Sequence, residues 1–332
     1  PRRPPRARQT TFNDLLDGNG RGHRWGMDWN QRSQFRTFAS QWCGIGKGMR
    51  GINKLWAGGA AARPFVTHHN TFNREFFLRI ALELSLKKLL VGGIDRVFEI
   101  GRIFRNEGIS RRHNPEFTML EWYRIGMDHQ ELMHEVADLL DELFSDSEIK
   151  FEDAPLFLTY RQAVIQYAGV DPFSATDDEI RNLGITLAGG DLDLNRDGWL
   201  DMIMSHKVEK ALPQNQLVFI YNYPASQAAL AKLNKDDNGQ IIAERFEVYL
   251  NGLELANGYH ELTNSKEQRS RFDKELAGTD RPIDEKLLAA MSGVEAGLPD
   301  CAGVAMGIDR ILMLQLGADS IAEVISFSTQ HC

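Results

Sequence analysis

Residues 104–124 read FRNEGISRRHNPEFTMLEWYR, a stretch that sets four arginines, three glutamates, one histidine and two asparagines between two apolar flanks. Before it, VFEIGRIFR (97–105) mixes β-branched and aromatic residues with charge. After the loop, FTMLEWYR alternates. Phe117, Met119, Glu121 and Tyr123 share one face, and Thr118, Leu120, Trp122 and Arg124 share the other. Two strands joined by a loop of roughly ten residues are expected, with charged side chains on the strands themselves. Burying carboxylates and guanidinium groups is costly unless they pair or face a ligand, so the pattern reads as a half-buried polar site.

Two further stretches have the same character. In AERFEVYLNGLELANGYHEL (243–262), Asn251-Gly252 between alternating runs predicts a two-residue hairpin. That register sets Leu250 opposite Leu253, Tyr249 opposite Glu254, and Glu247 diagonal to Glu254 on the same face. The two carboxylates read either as solvated groups on an open sheet face or as a divalent cation site of the kind that suits Mg²⁺ bridging phosphates. GVAMGIDRILMLQLGA (303–318) reads as a strand, a break at Gly307, and a helix ending at Gly317. Arg310 then falls in the first helical turn, where the dipole favours an anion. The plain alternative for Asp309 and Arg310 is a capping acid and a surface base.

Helices are expected over 74–93, closed by Gly92 and Gly93, over 129–144, and over 176–184 as the capped segment TDDEIRNLG. Within the first, Arg79, Glu83 and Lys87 stand at i,i+4 spacing, which alone reads as a surface ion-pair stripe.

The 332 residues are 42% apolar and 25% charged, as in an ordinary soluble globular protein of one large or two medium domains. No run of about 18 apolar residues predicts a membrane span, and no apolar segment after PRRPPRARQT predicts a secretory signal. Cys43, Cys301 and Cys332 are odd in number and form no CxxC pair, so a reduced, cytosolic setting without a zinc site is expected. Net charge is −8, but residues 1–56 hold 11 Lys/Arg against 3 Asp, leaving 27 Lys/Arg against 43 Asp/Glu in the remainder. An acidic body argues for a small ligand or a basic protein partner over a large nucleic acid. The segment 1–56 also carries four of the six tryptophans and no sustained periodicity, and it stays unassigned, with a boundary at about Trp56.

FRNE with RHNPEFTMLE, and GIDR opening an apolar helix, resemble motifs 2 and 3 of the class II aminoacyl-tRNA synthetases, in the lysine branch, over roughly residues 57–330. Two subfamilies share the resemblance. AGGAAARPFVTHHN (57–70) and RNEGIS (105–110) resemble lysyl-tRNA synthetase. YPASQAALAKL (223–233), the stretch 243–263 and PDCAGVAMGIDR (299–310) resemble the elongation factor P lysine ligases, which lack the anticodon-binding domain. At Ala305 the synthetases carry glycine and the ligases alanine. Residues 1–56, without strand periodicity, do not supply a five-stranded anticodon barrel, which favours the ligase side. Motif 1, a helix leading to a strand with proline at the dimer interface, is not recognisable upstream of residue 57, although the family implies a homodimer.

The resemblance implies an α+β class II catalytic fold, an antiparallel sheet flanked by helices, using ATP and Mg²⁺. It implies activation of lysine or (R)-β-lysine as an adenylate and transfer to a lysine of elongation factor P; tRNA is not the expected acceptor. A truncated lysyl-tRNA synthetase and a non-catalytic synthetase-like regulator remain alternatives. Carried onto this sequence, Arg105 is the α-phosphate clamp and Arg310 the γ-phosphate ligand, the two catalytic positions. Asn106, Glu107, His113, Asn114, Phe117 (stacked on adenine), Glu254, Leu255 and Gly307 join them around ATP, and Glu247 and Glu254 hold the metal. Ala81, Leu82, Glu83, Glu121, Tyr123, Asn257, Tyr259, Glu261 and Ala305 match the lysine pocket. Strict alternation sets Asn257, Tyr259 and Glu261 on the strand face opposite Glu254, so a bulge or strand end at Gly258 is expected.

Overall fold

The chain divides into a segment 1–50 and a unit 51–332. The computed structural model describes residues 52–53, 63–276, 283–292 and 297–329, all in the second unit. Apart from 52–53, the segment left unassigned by sequence lies outside the described residues.

The two strands expected around the charged loop are β4 (Arg96–Phe104) and β5 (Glu116–Ile125), paired antiparallel with Glu99 opposite Glu121. The Asn251-Gly252 hairpin joins β9 (Ile241–Leu250) to β10 (Leu253–His260). Both turn residues have positive φ, 54° and 69°, the left-handed pair that a two-residue turn needs and that Asn-Gly supplies at low cost. β11 (Cys301–Gly307) slots between β10 and β5. With β6 (Leu156–Thr159), β7 (Val218–Pro224) and β8 (Leu233–Lys235), an eight-stranded sheet runs β4-β5-β11-β10-β9-β7-β6, with β8 on β9. Its pairs are antiparallel apart from β6 with β7, so the expected α+β architecture holds.

Helices cover both faces. On one, α2 (His129–Phe144) and the helix after β11 pack Leu132, Val136 and Leu140 against Phe246, Val248 and Val304. The capping box of Asp128 and Glu131 starts α2, which matches the expected 129–144 residue for residue. The other face carries two apolar clusters, one at each end. At the β6–β7 end sit α3 (Tyr160–Ala168), α4 (Asp177–Ala188) and α5 (Arg196–Ile203), over Val218, Ile220 and Tyr249. Thr176 and Glu179 cap α4 as expected, and the helix runs on past Gly184, where a Cβ would lie 2.3 Å from the Trp199 ring. At the β4–β5 end, α1 (Glu83–Val91) lies over Val97, Met119 and Tyr123. Between the two clusters a polar strip of sheet is left, and the charged residues singled out above line it.

One expected helix is shorter than its pattern. Arg74–Leu78 is strand β3, paired with β2 (Val66–His69) and with β1 (Ile52–Asn53), and the helix begins only at Glu83. REFFL fits either period, and pairing with the neighbouring strand β2 and with β1 decides for the extended form. The remaining helices are α6 (Ser265–Glu275), α7 (Glu285–Met291), which packs with α1, and α8 (Ile308–Gln315), followed by Gly317 at φ 61°.

Candidate active site

Strand register puts the site residues on one face. Across the sheet, Glu121 on β5 stands opposite Ala305 on β11, and Ala305 opposite Asn257 on β10, which in turn faces Glu247 on β9. One step along, Tyr123, Gly303, Tyr259 and Arg245 form a parallel row. Glu254 reaches the same face because the β9–β10 register shifts between Glu254 and Ala256. The bulge thus falls at Leu255, three residues before the expected Gly258. Leu255 itself, expected near ATP, turns its side chain into the core on the reverse face.

At the β4–β5 end of the strip a carboxylate-rich pocket forms around one lysine. Lys87, 2% exposed, places Nζ 2.5 Å from Glu83 Oε1 and 2.6 Å from Glu261 Oε2. The ladder read as a surface stripe is therefore a buried network, and its third member, Arg79, turns away to Glu99 at 2.6 Å. Glu121 accepts from Tyr123 Oη at 2.8 Å and from the Leu82 N–H at 3.1 Å. Leu82 contributes that backbone donor only, since its side chain is in the core, and Ala81 precedes it half-buried. Burial, then the charge of Glu83, push the Glu121 carboxyl up to about 8. Burial lifts Glu261 to about 7 against the pull of Lys87. Against burial, Glu261 and Glu83 hold the Lys87 ammonium above its ordinary range. Three carboxylates gather around one cation, and burial is the main reason that two of them hold raised pKa values.

Gly303 shapes the wall of this pocket. A Cβ there would lie 2.3 Å from the Tyr123 ring and 2.9 Å from Glu261 Oε1. Ala305, opposite both Glu121 and Asn257, carries the one methyl on that strand within the polar strip.

At the centre, Glu247 accepts from Arg245, from Tyr249 Oη, from Tyr223 Oη at 2.7 Å and from Asn257 Nδ2 at 3.2 Å. Four donors fill the capacity of a carboxylate. The carboxylate of Glu247, an expected metal ligand, is thus engaged by neighbouring side chains. It anchors Arg245, whose guanidinium lies 4.4 Å from the Tyr223 ring centroid and 6.0 Å from that of Tyr259. Glu254 differs. Its carboxylate meets Arg310 at 3.3 Å, its side chain is 38% exposed, and burial together with Glu247 raises its pKa. Glu209 lies among the same charges, pushed up to about 7 by burial and by Glu247 and Glu254. A partly open carboxylate short of positive charge fits Mg²⁺, which binds through one or two carboxylates and otherwise through phosphate and water.

The charged loop carries the expected nucleotide contacts. Arg105 donates through Nε to the Ile80 carbonyl at 3.3 Å and lies over Phe117, 5.3 Å from the ring centroid. Arg310 donates to the Glu254 carbonyl at 2.7 Å and comes 3.1 Å from His113 Nε2, so motif 3 and the motif 2 loop touch. Burial and the Arg310 charge lower the His113 pKa, leaving a neutral ring beside the guanidinium. Asp309 accepts from the Thr118 N–H and fastens α8 to β5, so neither residue of the pair is a mere cap or surface base. Asn106 and Glu107 are exposed at the loop entrance. Asn114, expected near the nucleotide, is buried, donates to the Glu116 carbonyl and accepts from the Thr329 N–H, which anchors the loop. Gly307, at φ −80°, leaves ordinary room for a Cβ, 3.6 Å from Arg310.

Three contributors escaped the sequence reading: Lys87, Arg245 and Glu209. Arg245 had a signal, since Arg245 and Glu247 stand two apart and therefore share a strand face. Glu209 had none. It follows a π-helical stretch, Met204–Val208, that continues α5, and no local pattern foretells where that turn directs its side chain.

Antiparallel sheet, motif loop and arginine-led helix together define a class. The class II tRNA synthetases of the D, K and N type match residues 54–331, and the chain belongs to that family. Among characterised relatives it is 43% identical over 280 residues to the elongation factor P–(R)-β-lysine ligase of Vibrio parahaemolyticus serotype O3:K6, spanning 78% of this chain and 83% of that protein. The ligase of the same name from Proteus mirabilis is 44% identical over 262 residues, 76% of this chain and 77% of its own length. That from Vibrio campbellii is 43% identical over 280 residues, with the same 78% and 83% shares.

Proposed function

We propose that this chain is an ATP-dependent ligase that activates lysine or (R)-β-lysine as an aminoacyl adenylate and transfers it to a lysine side chain of elongation factor P. The observation that carries the substrate class is the shortage of cations around Glu83, Glu121 and Glu261, where Lys87 alone faces three carboxylates. A substrate ammonium completes that network. The relatives' names support the acceptor and the β-isomer.

The chain's own groups divide the work. Arg105 holds the α-phosphate and, with Phe117, faces the adenine, while Arg310 holds the γ-phosphate and His113 keeps it oriented. The substrate carboxylate oxygen attacks the α-phosphorus, the bond to the β-phosphate oxygen breaks, and pyrophosphate leaves. An acceptor amine then attacks the acyl carbon, AMP leaves, and the amine gives up a proton. Neither step needs more of the protein than alignment and fixed positive charge. Mg²⁺ at Glu254, when bound, neutralises phosphate charge; Glu247 keeps Arg245 in place beneath the substrate.

Amino-acid-dependent exchange of labelled pyrophosphate into ATP tests the first half-reaction. Exchange with lysine or (R)-β-lysine and none with aspartate or asparagine is expected. No exchange with any amino acid would favour a regulator that binds without reacting.

A further inference from the structure

On the sheet face opposite the substrate strip, three buried Lewis bases converge, two of them, Glu244 and His260, close enough to form an ion pair when His260 is protonated. His129 at the start of α2, Glu244 on β9 and His260 at the end of β10 are 4%, 7% and 6% exposed, and their ligating atoms lie within 4.8 Å of one another. Each has its other polar atom held. His129 Nε2 is 3.0 Å from Asn222 Oδ1, Glu244 Oε1 accepts from Asn234 Nδ2 at 2.8 Å, and His260 Nε2 is 3.0 Å from Asp300 Oδ1. Asn222 and Asp300 accept through oxygen, so both imidazoles donate there from Nε2 and turn the lone pair of Nδ1 inward. The inward atoms, His129 Nδ1, Glu244 Oε2 and His260 Nδ1, are buried without a hydrogen bond. Glu244 Oε2 and His260 Nδ1 stand 2.6 Å apart but are not aligned for one.

We propose that His129, Glu244 and His260 bind a divalent transition-metal ion, zinc by ligand type, with water in the fourth position. Two imidazoles and one carboxylate are a zinc donor set, and the outer carboxylate on His260 is the kind of partner that fixes a ligating imidazole. A tetrahedral ion about 2.0–2.1 Å from each ligand needs them roughly 3.3 Å apart. Glu244 Oε2 and His260 Nδ1, 2.6 Å apart, would part by about 0.7 Å to reach that value, and every other pair lies within 4.8 Å. Among the described residues this is the one group of three such side chains, and the proposal runs against the expectation drawn from cysteine count. The ion ties the start of α2 to β9 and β10. Glu261 follows His260 on the other face, so the tie also fixes the strand end that carries a pocket carboxylate.

The test uses the full chain, purified without a histidine tag, stripped with chelator and titrated with Co²⁺ and then Zn²⁺. One equivalent of Co²⁺ should bind with the visible absorption of a four-coordinate site and be displaced by Zn²⁺. His129→Asn and Glu244→Gln should weaken binding by roughly a hundredfold, and Asp300→Asn, at an exposed position, by about tenfold. If the parent chain takes up no stoichiometric Co²⁺ or Zn²⁺, the proposal is overturned. It is equally overturned if the signal vanishes in Glu254→Gln but persists in His129→Asn, because the ion then belongs to the nucleotide site. Should His129→Asn or Glu244→Gln fail to fold, Asp300→Asn decides, and unchanged affinity there counts against the site.

Discussion

Lys87 Nζ stands 2.6 Å from Glu261 Oε2, a contact between α1 and the segment just after β10 in which the two side chains are 2% and 1% exposed. Removing one partner of such a pair strands the other charge in low dielectric, at a typical cost of about 3–5 kcal/mol. Lys87→Met should therefore lower the melting temperature sharply near pH 8 and less near pH 5, where Glu261 and Glu121 take up protons. Thermal unfolding at the two pH values checks this, and equal losses would mean that neither carboxyl changes its protonation between them.

Substrate binding should release protons at pH 7. The Glu121 and Glu261 carboxyls, raised to about 8 and about 7 mainly by burial, are partly protonated there, and an incoming ammonium favours their charged forms. Affinity for lysine should thus rise from pH 6 to pH 8 and level off above the higher of the two values. Calorimetry in two buffers of different ionisation enthalpy counts the protons. The sign for stability is opposite. Glu121 keeps its proton to higher pH in the folded chain than its ordinary 4.5, so the ligand-free protein should lose stability as pH climbs from about 4.5 through about 8.

Gly303→Ala should damage amino-acid activation more than ATP binding. The added methyl meets the Tyr123 ring at 2.3 Å, and both Tyr123 and Glu261 must shift. Overpacking of this kind costs about 1–3 kcal/mol of stability. A raised KM for lysine with an unchanged KM for ATP is the expected pattern in the exchange assay.

Arg105→Ala should slow adenylate formation by two to three orders of magnitude, because one lost donor in a preorganised site is worth about 3–4 kcal/mol. Exchange within about threefold of the parent would remove Arg105 from the clamp role.

Where the signal was local, the sequence was legible. The alternation of Phe117 to Arg124, the Asn251-Gly252 turn and the helical run 129–144 each specify their element within a few residues. Nonlocal facts were not. The burial of Lys87 depends on Glu261, far along the chain, and the bulge at Leu255, without a glycine to mark it, is set by the register of β9 against β10. The same bulge explains why strict alternation separated Glu254 from Asn257.

Ala305 offers a test of isomer choice. Its methyl lies on the pocket face between Glu121 and Asn257, and one methylene in a pocket is worth about 1–3 kcal/mol. Ala305→Gly should shift kcat/KM towards α-lysine with little change for ATP. An unchanged ratio between the isomers would place the methyl outside the pocket.

The acceptor is the centre of the account, and mass spectrometry addresses it directly. The chain is incubated with ATP, Mg²⁺ and lysine or (R)-β-lysine, with purified elongation factor P and tRNA both present. A single aminoacyl addition on one lysine of elongation factor P, with tRNA left uncharged, is the predicted result; aminoacylated tRNA with an unmodified factor would contradict it.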